Sequence, residues 1–255
     1  MDDIPINEET VNKVLDIANE STKESRKELD KVGAKGINKL AQLFWASPIG
    51  IKADIYIAER PYKMKKALEE MRKKYEIIPE KGRVEPSSYI ALNGINELAY
   101  SLDEEHLKEM FENLLVSDMN KQKKNKVLPS YIEIIKQLSK DDANFLKTLK
   151  ESSSYIRGFF CIELHNKDKY ILLEYSDING KLTDFNIVKL NSIVIDNLLR
   201  LRLIEIPDRM FVNKKVYDKI YEIIRQPTMI DAAQYTPRIL SVTDFGRNFI
   251  DICLS

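Results

Sequence analysis

Apolar positions along this chain recur mostly at steps of three and four, the spacing that lines one face of an α-helix. Val11, Leu15, Ala18, Thr22, Ser25, Leu29 and Val32 follow such steps, a heptad-like row with a polar centre. Residues 7–32 therefore read as a charged, mobile, solvated helix, with a weak coiled coil or a partner-docking helix as the alternative. After Gly33 and Gly36, the residues Ile37, Leu40, Ala41, Leu43, Phe44 and Trp45 form the densest apolar stretch, which Ser47-Pro48 ends. A helix resumes over residues 50–76, with Met64, Leu68, Met71 and Tyr75 on one face and Pro61 starting or kinking it. Glu69/Lys73 and Glu70/Lys74 stand at the i,i+4 spacing that supports a helix by side-chain pairing.

Ile77-Ile78-Pro79-Glu80-Lys81-Gly82 reads as a linker, and a helical block follows it. Pro86 opens a helix bearing Ile90, Leu92, Ile95, Leu98 and Ala99. Ser101 with Glu104 predicts a capping box for the next helix, whose apolar face is Leu107, Met110, Phe111, Leu114 and Leu115. The lysine-rich stretch 121–126 reads as a loop. Pro129 starts a helix with Ile132, Ile135 and Leu138, and Ser139 caps another, with Asp142 in its first turn and Phe145, Leu146 and Leu149 facing inward.

The pattern changes near residue 155. Phe159–Leu164 and Tyr170–Tyr175 are β-prone runs around the turn material His165–Asp168, which predicts a hairpin, and Asn179-Gly180 marks a further turn. A helix is expected from Thr183 or Asp184 to about Arg202. Leu203–Ile206 reads as a strand ended by Pro207, Val216–Ile224 as a short helix, Arg238–Val242 as a strand, and Thr243 as the cap of a last helix. A helix leading into a two-stranded wing resembles a winged helix. The fold expected is mainly α with a small β component: an N-terminal helical region over 1–81, a helical block over 82–150 and a winged-helix-like module over 151–255.

Composition narrows the functional classes more than it names one. The 255 residues carry 40 basic and 40 acidic side chains, so net charge argues for neither nucleic acid nor an anionic membrane, and either would need a local patch. Hydrophobic residues at 44% suffice for a sizeable core. No run reaches the roughly 18 apolar residues of a membrane span. The acidic start Met1-Asp2-Asp3 is unlike a secretory leader, and Cys161 and Cys253 are far apart, so the chain reads as cytoplasmic with reduced thiols.

Candidate chemistry is sparse. The two histidines, His106 and His165, stand at no metal-ligand spacing and read as ordinary exposed side chains. No phosphate loop, nucleophile elbow or paired-cysteine motif is present. We therefore expect no catalytic residues, no metal and no cofactor. In a nucleic-acid reading, Arg200, Arg202, Arg209, Lys214 and Lys215 would contact phosphates, with Lys189 behind them, but Asp184, Asp196, Glu205 and Asp208 dilute their charge. Leu43, Phe44 and Trp45 are the candidate membrane or partner contact, although burial in a helical hairpin is the plainer reading of that segment. The expected partner is another protein, a second copy of the chain or a membrane surface, with nucleic acid the less favoured alternative.

Four phrases in order carry a family resemblance: LKEMFENLLVSDM from Leu107, VLPSYIEIIKQL from Val127, SKDDANFL from Ser139 and VTDFGRNFIDIC from Val242. Together they resemble the bacterial Abi-alpha (abortive infection alpha) family over roughly residues 60–255. The resemblance implies a non-enzymatic role in phage defence through protein or membrane contacts, with DNA-binding regulation as the alternative. It supplies no catalytic residue. Gly246 and Phe249 fall at family-like positions whose plain reading is structural.

Overall fold

The computed structural model describes residues 35–46, 59–152, 157–164, 169–178, 181–188, 192–206 and 235–254. Its elements in chain order are α1 (Lys35–Ala46), α2 (Glu59–Glu76), α3 (Ser88–Tyr100), α4 (Glu105–Asp118), α5 (Ser130–Ile135), α6 (Lys140–Ser152), β1 (Arg157–Leu164), β2 (Lys169–Ile178), β3 (Lys181–Val188), α7 (Ser192–Arg200), β4 (Ile204–Glu205), β5 (Tyr235–Val242) and α8 (Asp244–Cys253). The described chain is thus mainly helical with a smaller β part. Contacts divide it into two units, Met1–Gln137 with Ile252–Ser255, and Leu138–Asp251.

In the first unit α4 is the central element. Pairs at the 3–4 spacing, Met110, Phe111, Leu114 and Leu115, are each fully buried. Helices α2, α3 and α5 pack against it. Small residues permit the closest approaches: a methyl group on Gly94 of α3 would come within 2.9 Å of Leu115, and one on Gly36 of α1 within 2.6 Å of Met119. On α2 the expected face is buried, with Met64, Leu68, Met71 and Tyr75 joined by Ala67. Pro61 lies in its first turn, where a missing N–H costs the helix no bond. After α2, Ile78 turns inward and Arg83 donates to the carbonyls of Ile78 and Glu76, satisfying orphan groups at the helix end.

Several expectations change here. Ser101 does not box the next helix: it ends α3, donating its N–H to Glu97 and Leu98, and α4 begins after Glu104 without a side-chain cap. Glu70 and Lys74 do not serve α2 alone, because each reaches α4. His106 is half-buried, with Nδ1 3.9 Å from Glu104, rather than exposed.

In the second unit Ser139 and Asp142 cap α6 reciprocally. The Ser139 N–H and hydroxyl donate to Asp142 Oδ2 at 2.7 and 2.8 Å, and the Asp142 N–H donates to Ser139 Oγ at 3.2 Å. The same oxygen accepts Asn197 Nδ2 of α7 at 2.9 Å, so one carboxylate caps a helix and ties a second to it.

The sheet runs β3-β2-β1-β5-β4 with every neighbour antiparallel. The β1–β2 hairpin pairs up to Leu164↔Lys169, around the expected turn. The largest correction lies next. Residues 181–188 form β3, paired with β2 through Leu172↔Val188 to Ile178↔Lys181, where a helix start was expected, and α7 begins only at Ser192. Lys181-Leu-Thr-Asp-Phe-Asn-Ile-Val188 alternates polar and apolar residues closely enough to form a strand once β2 offers an edge to pair with. Pro237 is accommodated because β4 reaches only Ser241 and Val242, leaving the Pro237 stretch of β5 with a single described neighbour. The expected helices over 7–32 and 216–224 lie outside the described residues.

Candidate functional site

Polar side chains taken out of water are the first place to look for function, because each must be satisfied or the fold is destabilised. Most of them here sit on α4: Lys108, Glu112, Asn113, Ser117 and Asp118 are buried. Asp118 Oδ2 accepts the N–H and hydroxyl of Ser87 at 2.6 and 2.8 Å, which holds the start of α3 at the end of α4. Asn113 Nδ2 and Ser117 Oγ, one turn apart, donate to the carbonyls of Cys253 and Ile252 at 3.0 and 3.1 Å. They satisfy the C-terminal end of α8, whose last carbonyls have no partner within the helix. Cys253 is buried and free, and burial pushes its thiol well above the ordinary cysteine value. That suits a small core residue and not a nucleophile.

The remaining two form a charge network with α2. Lys74 Nζ lies 2.8 Å from Glu112, whose side chain is almost wholly enclosed, and Lys108 Nζ lies 3.1 Å from Glu70 and 3.0 Å from Glu105. Burial raises the Glu112 carboxyl, and the Lys74 ammonium only partly offsets this. Burial acts on Glu70 in the same sense, but there the Lys108 ammonium prevails and the carboxyl is lowered. Burial works against the charge on Lys108, yet hydrogen bonds to Glu105 and Glu70 hold it above the ordinary lysine value. Glu112 Oε1 has no hydrogen-bond partner, in keeping with a carboxyl that resists ionisation.

Beside this network is a cleft of about 250 Å³. Ile77, Ile78 and Val116 give it apolar walls, Lys74 and Lys123 stand on it, and Asn113, Ser117 and Asn120 complete it. Ile77 is 81% exposed. Backbone bonds place two basic segments together at this end of the unit: Lys121 N–H donates to Gly82 O, and Val84 N–H donates to Met119 O. One segment brings Lys81 and Arg83 with Glu80 and Glu85 on either side; the other, residues 119–127, brings Lys121, Lys123, Lys124 and Lys126 and no carboxylate. In a chain of zero formal net charge, residues 119–127 alone form a basic run. Among the described residues no three His, Cys, Asp or Glu side chains come together to hold a metal.

The pattern of one protein family, abortive infection alpha, matches residues 59–253, which is most of the chain and runs from the first residue of α2 to the last of α8. The chain belongs to the abortive infection alpha family. No curated protein and no solved structure matches it. Both the charge network and the cleft of this abortive infection alpha protein lie within the matched span, whereas α1 precedes it.

The residues singled out in the sequence are scattered by comparison. Arg200 is exposed at the end of α7 and donates to Asn197 Oδ1 at 2.7 Å. Arg202 is exposed, but its backbone is in the left-handed region with φ 59°. It occupies the turn that ends α7, where its N–H donates to Leu199 O and the Leu203 N–H to Leu198 O. Arg209, Lys214 and Lys215 lie outside the described residues. Leu43 is half-buried on α1, and the side chains of Phe44 and Trp45, on the same helix, lie outside the described residues. Sequence reasoning missed the α2–α4 network. Its one signal was Lys108 and Glu112, charged residues four apart beside the apolar positions of α4.

Proposed function

We propose that the protein acts in the response of a bacterial cell to phage infection, without catalysing a reaction of its own, through contacts with protein or membrane in the cytoplasm. Membership of the abortive infection alpha family carries this reading. It is supported by the use to which the buried polar groups are put: Asn113, Ser117, Asp118 and Asp142 are each engaged in holding elements together. Among the described residues no helix is long and apolar enough to cross a membrane, so a membrane contact would be peripheral. The test is expression of the full chain in a phage-sensitive host, with plating efficiency and cell survival followed after infection. Reduced plaque formation accompanied by loss of the infected cells is expected. Normal plating by every phage tried would count against the role.

A winged-helix-like DNA reader is the second reading, favoured by the passage from α7 into β4 and its antiparallel pairing with β5. Asp196 and Glu205 sit among the basic positions and would repel a phosphate backbone. Duplex binding is expected to be weaker than about micromolar near physiological salt, in the range of non-specific contact. Alanine at Arg200, Arg202, Arg209, Lys214 and Lys215 should leave phage protection intact in a folded variant. Tight binding that falls steeply with salt, lost in that variant together with protection, would make DNA recognition the function.

A further inference from the structure

We propose that Glu70 of α2 and Glu112 of α4 share one proton across the contact between the two helices, and that losing this proton loosens the C-terminal half of α2. The inference is independent of the role in phage infection, since both the proton and the loosening are measured on the protein alone.

The two carboxyl groups are hydrogen-bonded to each other. Two ionised carboxylates have no hydrogen to place between them, so that bond exists only while one of the pair is protonated. The ammonium groups nearby do not relieve the contact. Lys74 bonds Glu112 at 2.8 Å, while Lys108 bonds Glu70 at 3.1 Å and Glu105 at 3.0 Å. Each ammonium thus stands on one carboxyl of the pair, and neither bonds both. Without the proton, like charges would face each other directly.

Environment decides which group carries the proton. The Glu112 side chain is 2% exposed and that of Glu70 31%. Glu112 Oε1 is buried with no partner, so ionisation would leave it charged and unsatisfied. Protonation instead makes this carboxyl the donor and the Glu70 carboxylate the acceptor. The charges that act on Glu112 are Lys74 and Glu70 of α2 and Lys108 of its own helix. Helices α3 and α5, which also pack on α4, contribute none of them. Glu70 in turn feels Lys108 and Lys66. Burial raises the Glu112 carboxyl, and the Glu70 charge adds to this against the two ammoniums.

The consequence falls on α2. Helix α4 is held by bonds outside this network, from Ser87 to Asp118 and from Asn113 and Ser117 to the end of α8. Helix α2 buries Met64, Ala67, Leu68 and Met71, a contact indifferent to protons. Glu70 and Lys74 sit in its C-terminal half. With the proton gone, the first is repelled by the carboxylate that the second must still hold. Proton loss therefore sets the last turns of α2 against α4 without unseating the apolar face, which is a local opening and not unfolding. Lys74, Ile77 and Ile78 line the cleft beside it, so the opening alters that cleft as well.

The experiment follows the glutamate carboxyl carbons of the full chain by NMR as pH is raised, with amide hydrogen exchange measured over the same range. The variants are Glu70→Gln, Glu112→Gln and Glu105→Gln, the last an exposed partner of Lys108, each checked by thermal unfolding. Glu70→Gln should lower the proton affinity of Glu112 by about tenfold or more, and Glu105→Gln should change it by less than about threefold. In the wild type, the amides of residues 70–76 should lose about tenfold in protection as Glu112 ionises while those of α6 keep theirs, and in Glu112→Gln both should keep it. An unchanged Glu112 affinity in Glu70→Gln, or an equal fall in Glu105→Gln, would overturn the shared proton. Protection of residues 70–76 that holds through the Glu112 titration, or that falls equally in α6, would overturn the loosening. If Glu70→Gln does not fold, Glu70→Asp, which withdraws the carboxylate by one methylene, gives the same comparison with the same two outcomes.

Discussion

Gly246 and Arg202 meet at one turn of the second unit, and each shows what a single backbone position can demand. A methyl group on Gly246 would fall 1.9 Å from the carbonyl oxygen of Leu203, an overlap that only backbone movement could relieve. The approach is fixed from both sides: Thr243 Oγ1 donates to Arg202 O at 2.7 Å and accepts the Gly246 N–H at 2.8 Å. Gly246→Ala should therefore destabilise the protein by about 3 kcal/mol, as overpacking against backbone does. A lowered denaturation midpoint at unchanged slope is the expected readout, and a wild-type midpoint would contradict the geometry. Arg202 holds a left-handed conformation that costs an L-residue roughly 1–2 kcal/mol. Its place is that of the glycine which commonly ends a helix, between Leu198 and Leu203, both buried and joined by the bond from Leu203 N–H to Leu198 O. Arg202→Gly should stabilise by about 0.5 kcal/mol, strain relief exceeding the added freedom of the unfolded chain. A lower melting temperature would show that the arginine side chain contributes more than its backbone costs.

Between elements, the α2–α4 network is where stability couples to pH. Glu112 has a folded-state value raised above the ordinary 4.5. Its contribution to stability is fully present below that ordinary value and is lost as pH rises through the raised folded value. Glu70, lowered, acts in the opposite direction: its contribution is present above 4.5 and lost as pH falls through its folded value. Glu112→Gln removes the first effect, and Lys108 still lowers Glu70 in the variant. The stability of the variant relative to the wild type should climb as pH is raised from 4.5 through the raised Glu112 value, and be flat below it. Denaturant titrations of both proteins at a series of pH values give the comparison. A constant difference across that window would show that Glu112 ionises as readily in the fold as out of it.

At the scale of the molecule, the described residues are held together by packing and internal hydrogen bonds. Cys253 is a free, buried thiol, and the described acidic residues and histidine form no metal-holding group. Chelator and reductant should leave the thermal transition where it is, measured by circular dichroism in their presence and absence. A downward shift with chelator would mean that a metal contributes to the fold. The balanced charge of the chain conceals a basic run at residues 119–127, which the bond from Lys121 N–H to Gly82 O ties to a segment some forty residues earlier.

The sequence by itself determined the helical elements, because a face built of Met64, Leu68, Met71 and Tyr75 or of Met110, Phe111, Leu114 and Leu115 announces its own burial through spacing. It determined the reciprocal cap of Ser139 and Asp142 and the cap at Thr243, since these bonds span three residues. The β1–β2 hairpin and the family were legible for the same reason, being patterns written along the chain. Tertiary structure decided the rest. Residues 181–188 become a strand only because β2 offers an edge to pair with, a non-local bond that local helix signals outweighed on paper. Glu70 and Lys74 look like a pair on one helix until α4 presents Lys108 and Glu112 to each of them. The cleft beside them draws its lysines, amides and aliphatic walls from separate elements, and no spacing along one element records which residues another will bring against it.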